Sequence, residues 1–415
     1  MKFHWFHLMP YPHLPDGFRE RYPSVWVDLP VKELYDPVLG HHVYHEYLDE
    51  LEFADQAGFD GICVNEHHSN AYGLMPSPNL MAAALARRTV NAKLVVMGNS
   101  VALYNPPIRV AEEMAMLDVI SGGRVVTGFP VGTPMDTAFA YSQNPTTLRE
   151  RYREGVELIL RAWREETPFA FNGKYTQMRY VNPWPRPIQQ PHPPIWIPGG
   201  GSVETWDWCA RQGFLYAYLS FLGYEFARHT MDGFWEAVDR HGLEPNPYRA
   251  GFNQFVGVAD TDAEAEALYS EAALYFFNRC LHIPPVYLNP PGYTSIATIR
   301  KSIPSMMKAG AMMSAAGLTW KDIVERGYVI AGSVDTVVDR LTELSDTLRI
   351  GHLMVQLHFG NLGKESVLYN TQRFAAEVIP RLRPRFGEWE DHWWPRDTLA
   401  EPAQPAPLPE PTPVP

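Results

Sequence analysis

The chain has 415 residues, 46% hydrophobic and 20% charged, which is ample apolar material for a large core and excludes global disorder. Its 35 basic and 47 acidic residues leave a formal charge of -12, which argues against a nucleic-acid or anionic-membrane partner and for a small-molecule one. Cys63, Cys209 and Cys280 lie far apart with no CxxC spacing, which speaks against a disulfide framework or a cysteine zinc site and fits a reducing cytoplasm.

The N-terminus carries histidines and prolines where a signal peptide needs an apolar run, and no stretch is apolar for about 18 residues, so neither secretion by that route nor a membrane span is expected. Short apolar runs instead alternate with helical periodicity, the pattern of a parallel sheet built from βα units. Strand one is predicted over 3–8, followed by a Pro- and aromatic-rich insertion from 9 to about 40 and a helix over 44–57 stopped by Gly58. Strands two and three fall at 61–64 and 93–98, with helices over 78–89 and 107–120 opened by Pro78 and Pro107. Strand four at 125–128 leads to a helix over 148–165 with a capping box of Thr147 and Glu150.

After a turn-rich aromatic segment over 169–194 come strand five at 195–198, the glycines 199 to 201 and a helix starting near Val203. Strand six at 214–219 precedes a helix over 224–241, and strand seven at 250–257 precedes a helix capped by Thr261 and Glu264. From 278 to 327 the period breaks, and this region, with its Met-rich stretch 306–313, reads as a second insertion. A helix over 335–347, strand eight at 352–358 and a helix over 364–382 complete the pattern.

Eight successive βα pairs favour a closed (β/α)8 TIM barrel, with insertions after strand one and strand seven, over an open doubly wound sheet. The expected organisation is a barrel domain over 1–387 and a Pro-rich disordered tail over 388–415, where seven of the last fifteen residues are proline.

In such a barrel the active-site residues stand at the carboxyl ends of the strands. Glu66, His67 and His68 after strand two offer a base near neutral pH with a carboxylate to hold its tautomer, although alternation turns the two histidines to opposite sides. Two loop histidines satisfied by backbone are the plainer alternative. The run Pro198 to Ser202 opens a helix, so its amides and the Ser202 hydroxyl suit a phosphate; an ordinary glycine turn has the same sequence. GxGxxG and GxxxxGK[ST] are absent, so neither a Rossmann domain nor a P-loop is expected. Asn99 and Ser100 offer hydrogen bonds to a heteroaromatic edge, or else close the turn after strand three. His41, His42 and His45 carry an i, i+4 pair but no HExxH, and a solvated or lid-lining role outweighs metal binding.

The segments ADQAGFDGICVNEHH, VVMGNSVALYNPPIRVAEEMAMLDVISGGRVVTGFPVG, RERYREGVELILRAW, LMVQLHFG and FAAEVIPRL together resemble the luciferase-like flavin-dependent monooxygenases, over about residues 1–383. The resemblance implies a (β/α)8 barrel, reduced FMN or in some branches coenzyme F420, and a homodimer. It implies that His67 is the catalytic histidine and that Asn99, Ser100, Gly128, Tyr152, Gly199, Gly200, Gly201, Ser202 and Thr205 bind the cofactor, Ser202 and Thr205 beside its phosphate. His7, Met9 and His68 are assigned to the substrate, and no metal is expected. A strained non-proline cis peptide is implied between Gly98 and Ser100. The family's phosphate-binding arginine aligns with Val131, which leaves the phosphate to backbone amides.

The implied reaction is oxidation of a small organic substrate by O2 through a flavin C4a-peroxide, with His67 moving a proton and FMNH2 arriving from a separate NAD(P)H:flavin reductase. The two insertions are expected to close as lids. Three alternatives remain: an F420-dependent oxidoreductase on the same barrel, a metal-dependent TIM-barrel hydrolase, and a catalytically silent flavin-binding subunit. An F420 enzyme calls for a basic cluster at the mouth, and a hydrolase for Asp or His at several strand ends.

Overall fold

The computed structural model describes residues 1–300 and 317–396. Its strands in chain order are β1 (Lys2–Phe6), β2 (Gly61–Val64), β3 (Lys93–Val96), β4 (Val125–Gly128), β5 (Phe169–Asn172), β6 (Gln177–Val181), β7 (Ile195–Gly199), β8 (Leu215–Tyr218), β9 (Ala250–Ala259), β10 (Val329–Ser333) and β11 (His352–Gln356). The helices used below are α1 (Pro37–Gln56), α2 (Pro78–Arg88), α3 (Ile108–Ser121), α4 (Leu148–Arg164), α5 (Val203–Gln212), α6 (Gly223–Arg240), α7 (Asp262–Tyr275), α8 (Val334–Leu348) and α9 (Lys364–Arg373).

Strand pairing runs β1-β2-β3-β4-β7-β8-β9-β11 and back to β1, all parallel, so eight strands close a barrel as the sequence predicts. Closure leaves none of the eight ring strands as a sheet edge, and these strands can be almost wholly apolar because helices cover their outer faces. β10 stands outside the ring. The ten-residue β9 pairs along its first half with β11, from Gly251↔His352 to Phe255↔Gln356, and along its second half with β10, from Phe255↔Val329 to Ala259↔Ser333.

Caps set the helix starts. Asp36 Oδ1 accepts from the amides of Val38 and Leu39 with Pro37 in the first turn, so α1 begins at Pro37 and not at the predicted residue 44. Ser77 caps α2 in the same way. Thr147 does not form the predicted box: its hydroxyl donates to the Asn144 carbonyl, and Glu150 turns to Lys174 and Tyr175. Thr261 caps the Glu264 amide, but Glu264 accepts from Asp260, which leaves half a box.

The structure adds two elements that sequence reading passes over. β5 and β6 form an antiparallel hairpin in the stretch expected to be irregular, and most of its residues face solvent, which erases the apolar alternation a strand needs to be visible. β10 is five residues long and sits between the end of the aperiodic region and the next predicted helix.

The amino end of the barrel is closed by a plug. His4 and His352 stack at 5.2 Å, Trp196 meets them edge-on, and Trp394 lies 4.8 Å from His4. Trp196 Nε1 donates to the Trp393 carbonyl, and Trp393 Nε1 donates to the Gly213 carbonyl. The boundary expected at residue 387 therefore falls inside packed structure: 388–396 cover the base of the barrel, because indoles bury more favourably there than in water. The Met-rich 306–313 and the proline-rich 401–415 lie outside the described residues.

Candidate active site

An ideal Cβ on Gly61 points at the His4 ring and Val95, so alternation along β2 turns Gly61, Cys63 and Asn65 into the barrel. The chain leaves β2 through Glu66, His67 and His68. His67 keeps part of its ring accessible, with Nδ1 2.9 Å from Asp136 Oδ2. Asp136 is almost fully buried in the turn after β4 and also accepts from the His68 amide at 2.7 Å, Trp26 Nε1 at 3.1 Å and Thr133 Oγ1 at 2.9 Å. Four donors leave this carboxylate no freedom to rotate. Facing it, His67 carries its proton on Nδ1 and presents Nε2 as an acceptor. Trp26 and Tyr72 stack on each other at 4.8 Å and each meets the His67 ring edge-on, which walls the imidazole with aromatic surface.

His68 turns the other way, as alternation requires: its Nε2 lies 2.8 Å from Glu66 Oε1 in a buried pair. The other Glu66 oxygen accepts from the Ser100 amide at 2.8 Å, so one carboxylate ties the end of β2 to the turn after β3. Asn99 donates through Nδ2 to Asn79 Oδ1 and Tyr104 OH.

Across the mouth, β7 runs into Gly199, Gly200 and Gly201, and Ser202 opens α5. Gly201 has φ +98, a left-handed conformation in which a side chain would be strained. Two arginines reach this turn from α4: Arg149 Nη1 donates to Thr205 Oγ1 at 3.0 Å, and Arg153 Nη2 donates to the Glu204 carbonyl at 3.1 Å. The turn thus has side-chain cations as well as helix amides.

Buried polar atoms lacking a partner identify what the mouth can hold. They include Asn65 Oδ1, Asn99 Oδ1, Asn253 Nδ2, both amide atoms of Gln356, and Arg149 Nε. Register and alternation turn Asn65, Asn253 and Gln356 inward near the carboxyl ends of β2, β8 and β11, Asn253 accepting from the Ser220 amide just past β8. A buried amide without a partner costs about 1 to 3 kcal/mol. A set mixing donors and acceptors fits a planar heterocycle with carbonyl oxygens and a ring N–H, as in the isoalloxazine of a flavin, and the turn with its arginines fits the phosphate.

The sequence pattern of the luciferase-like monooxygenases matches residues 26–349. The chain belongs to the luciferase-like monooxygenase family. It is 34% identical over 351 residues to 4-hydroxyprotoasukamycin monooxygenase of Streptomyces nodosus subsp. asukaensis, covering 81% of this chain and 86% of that one. In fold it is similar to the oxygenating constituent of 3,6-diketocamphane monooxygenase from Pseudomonas putida, a type II Baeyer-Villiger monooxygenase solved with FMN (TM-score 0.69, 21% identity, 92% and 98% coverage). An F420-dependent secondary alcohol dehydrogenase shares the barrel almost as well (TM-score 0.63, 18% identity, 92% and 99% coverage).

One expectation drawn from the luciferase-like family needs correction, and several of the residues it assigns also have packing or hydrogen-bonding roles of their own. Among the described residues the cis peptides are Asn105–Pro106, Trp184–Pro185 and Gln190–Pro191, so the non-proline cis bond expected between Gly98 and Ser100 is not formed. Gly98 and Gly128 are glycines for packing: a Cβ on either would collide with the neighbouring strand's carbonyl, of Gly128 or of Val96. Tyr152, expected at the cofactor, is buried on α4 with its hydroxyl donated to the Phe129 carbonyl at 2.7 Å. The glycine turn does not rely on amides alone for positive charge, because Arg149 and Arg153 stand beside it although Val131 carries none. The i, i+4 arginines at the start of α4 were the sequence signal for this, and an acid in the turn after strand four was the signal for Asp136.

His7 and Met9, assigned to the substrate, are buried in a polar layer behind the mouth. His7 Nδ1 accepts from the Met9 amide at 2.9 Å, and its Nε2 lies 3.1 Å from Glu50 Oε2. His358 Nδ1 faces the same oxygen at 3.0 Å. These three residues are spaced like metal ligands. Because the Met9 amide occupies Nδ1, however, His7 must carry its proton on Nε2, the atom an ion would need. The donor set therefore suits a hydrogen-bonded triad. His41, His42 and His45 all face solvent on α1.

Proposed function

We propose that this chain is the oxygenase component of a two-component monooxygenase that uses reduced FMN and O2 to oxidise a small organic substrate. The observation that carries the reading is the His67–Asp136 pair on the same barrel mouth as the arginine-flanked glycine turn. Bound reduced flavin would supply the electrons that activate O2. Asn65, Asn99, Asn253 and Gln356 would hold its polar edge, and Ser202, Thr205 and Arg149 its phosphate. Asp136 keeps the His67 tautomer fixed so that Nε2 takes a proton from, or returns one to, the substrate, a role worth about a hundred- to ten-thousand-fold in rate. Trp26 and Tyr72 exclude water beside that nitrogen.

The reducing equivalents come from a separate NAD(P)H:flavin reductase in this reading, consistent with a neighbour described as an oxygenating constituent. Among the described residues no helix is long and apolar enough to cross a membrane. The chain works as a homodimer: α2 and α3 pack together and leave Leu80, Met116, Val119 and Ile120 exposed. Ile120→Lys should shift the sedimentation profile to the monomer, and an unchanged profile would reject this face.

Anaerobic titration with FMNH2, FMN and F420, followed by fluorescence, tests the cofactor. Tighter binding of FMNH2 than of FMN supports the proposal. Tight F420 binding with no response to either flavin would replace it by hydride transfer on the same barrel.

A further inference from the structure

Glu204 stands in the first turn of α5, half-buried, and its carboxylate accepts from Ser202 Oγ at 2.9 Å, from Thr298 Oγ1 at 2.9 Å and from Ser295 Oγ. Burial pushes its pKa up, but the hydroxyl bonds from Ser295, Ser202 and Thr298 and that of its own amide outweigh this and hold it at about 2. Thr298 Oγ1 also accepts from the Val203 amide at 3.2 Å. Tyr293 OH donates to the Gly132 carbonyl at 2.7 Å, so the stretch from Tyr293 to Thr298 is tied across the glycine turn.

The Ser202 hydroxyl and the first helix amide, the donors that suit a phosphate, are thus already engaged by this chain's own side chains. A phosphate cannot use them while the Glu204 carboxylate remains, because two anions would share one set of donors.

We infer that Glu204 is an internal anion standing in the cofactor-phosphate subsite, and that a phosphate enters by exchange, turning the carboxylate out and releasing Ser295 and Thr298 from it. Arg149, already at Thr205, then balances the incoming charge. The inference rests on the phosphate reading of the 199–205 turn. Part of the phosphate's binding energy goes into the exchange, so the cofactor is held less tightly than its contacts alone would allow. That suits a flavin that must arrive reduced and depart oxidised in every turnover.

Calorimetric titration of the wild type, Ser202→Ala, Glu204→Gln and Thr298→Val with FMN, riboflavin and inorganic phosphate tests it. Wild type should prefer FMN to riboflavin, and Ser202→Ala should lose that preference. Glu204→Gln and Thr298→Val should each bind FMN about tenfold more tightly, since one removes a like charge and the other loosens its anchor. Riboflavin affinity should stay unchanged in both, which also reports an intact fold. If both variants bind FMN equally well or more weakly than wild type while the FMN preference persists, Glu204 is no placeholder and the inference falls. If wild type shows no preference for FMN, the phosphate reading fails first and takes the inference with it.

Discussion

The Asp136 carboxylate accepts from Trp26, His67, the His68 amide and Thr133, so a single side chain joins three separate stretches of chain around one imidazole. Asp136→Asn keeps the volume but can donate where an acceptor is needed. We expect product formation to fall by about ten- to a hundredfold, the usual effect of losing a partner that orients a functional group. Hydrogen peroxide released per reduced flavin should rise while FMN affinity holds. A variant losing FMN affinity and activity together would make Asp136 a structural residue only. Tyr152 gives the contrasting case. Tyr152→Phe removes one buried hydrogen bond to Phe129 and should lower stability by about 1 kcal/mol, visible as a lower melting temperature, without changing FMN affinity.

At the scale of elements, the carboxyl-terminal plug is the piece whose removal is most readily measured. A chain ending at Gly387 lacks Trp393 and Trp394, uncovers His4 and His352 and leaves Trp196 Nε1 without its acceptor. Losing the buried Trp393 indole costs about 3 to 5 kcal/mol, so the shortened chain should melt well below the full one; equal melting would show that the plug is ornamental. All eight ring strands were legible from sequence within about two residues at each end, because a strand covered on both faces is a short apolar run with turn residues at its ends. The expected overrun of β11 through His358 takes in a residue whose ring belongs to the Glu50 triad. The hairpin was not legible because most of its residues face solvent, whereas β10, a buried apolar run of Val329, Ile330 and Ala331, was passed over because it is short and abuts the aperiodic insertion. At the site, His67 could be read because it stands at a strand end. The pairing of Asp136 with His67 and of Glu204 with Ser295 and Thr298 could not, because those partners lie far away in sequence and only the folded barrel brings them together.

For the whole molecule, the His7, Glu50 and His358 layer makes stability depend on pH. Burial lowers the His7 pKa from its ordinary 6.5 to about 4, and the Glu50 bond only partly offsets this. Burial would raise Glu50, but the His358 charge and the bonds from His358 and His7 outweigh it and hold Glu50 at about 2. In both cases the unfolded chain binds the proton more readily. The stabilisation is therefore present at neutral pH, and it is lost as pH falls, first through the His7 window between 6.5 and 4 and then through the Glu50 window below 4.5. The urea midpoint should drop between about pH 7 and about pH 5, and His7→Gln should flatten that drop. A midpoint equally pH-dependent in the variant would place the proton elsewhere.

The split pairing of β9 bears on how such a protein can diversify. The chain leaves the ring at Ala259 and returns as β10 along the same strand, with Ser333 level with Ala259, before β11 takes its place in the ring. The excursion between them starts and finishes on one rail, whatever other ties its described parts make, such as Tyr293 to Gly132. Lengthening the excursion moves neither attachment point, and each doubling of a flexible loop costs only about 0.6 kcal/mol in closure entropy. A descendant could therefore exchange the whole excursion, and with it whatever covers the mouth, while the ring of strands keeps its register.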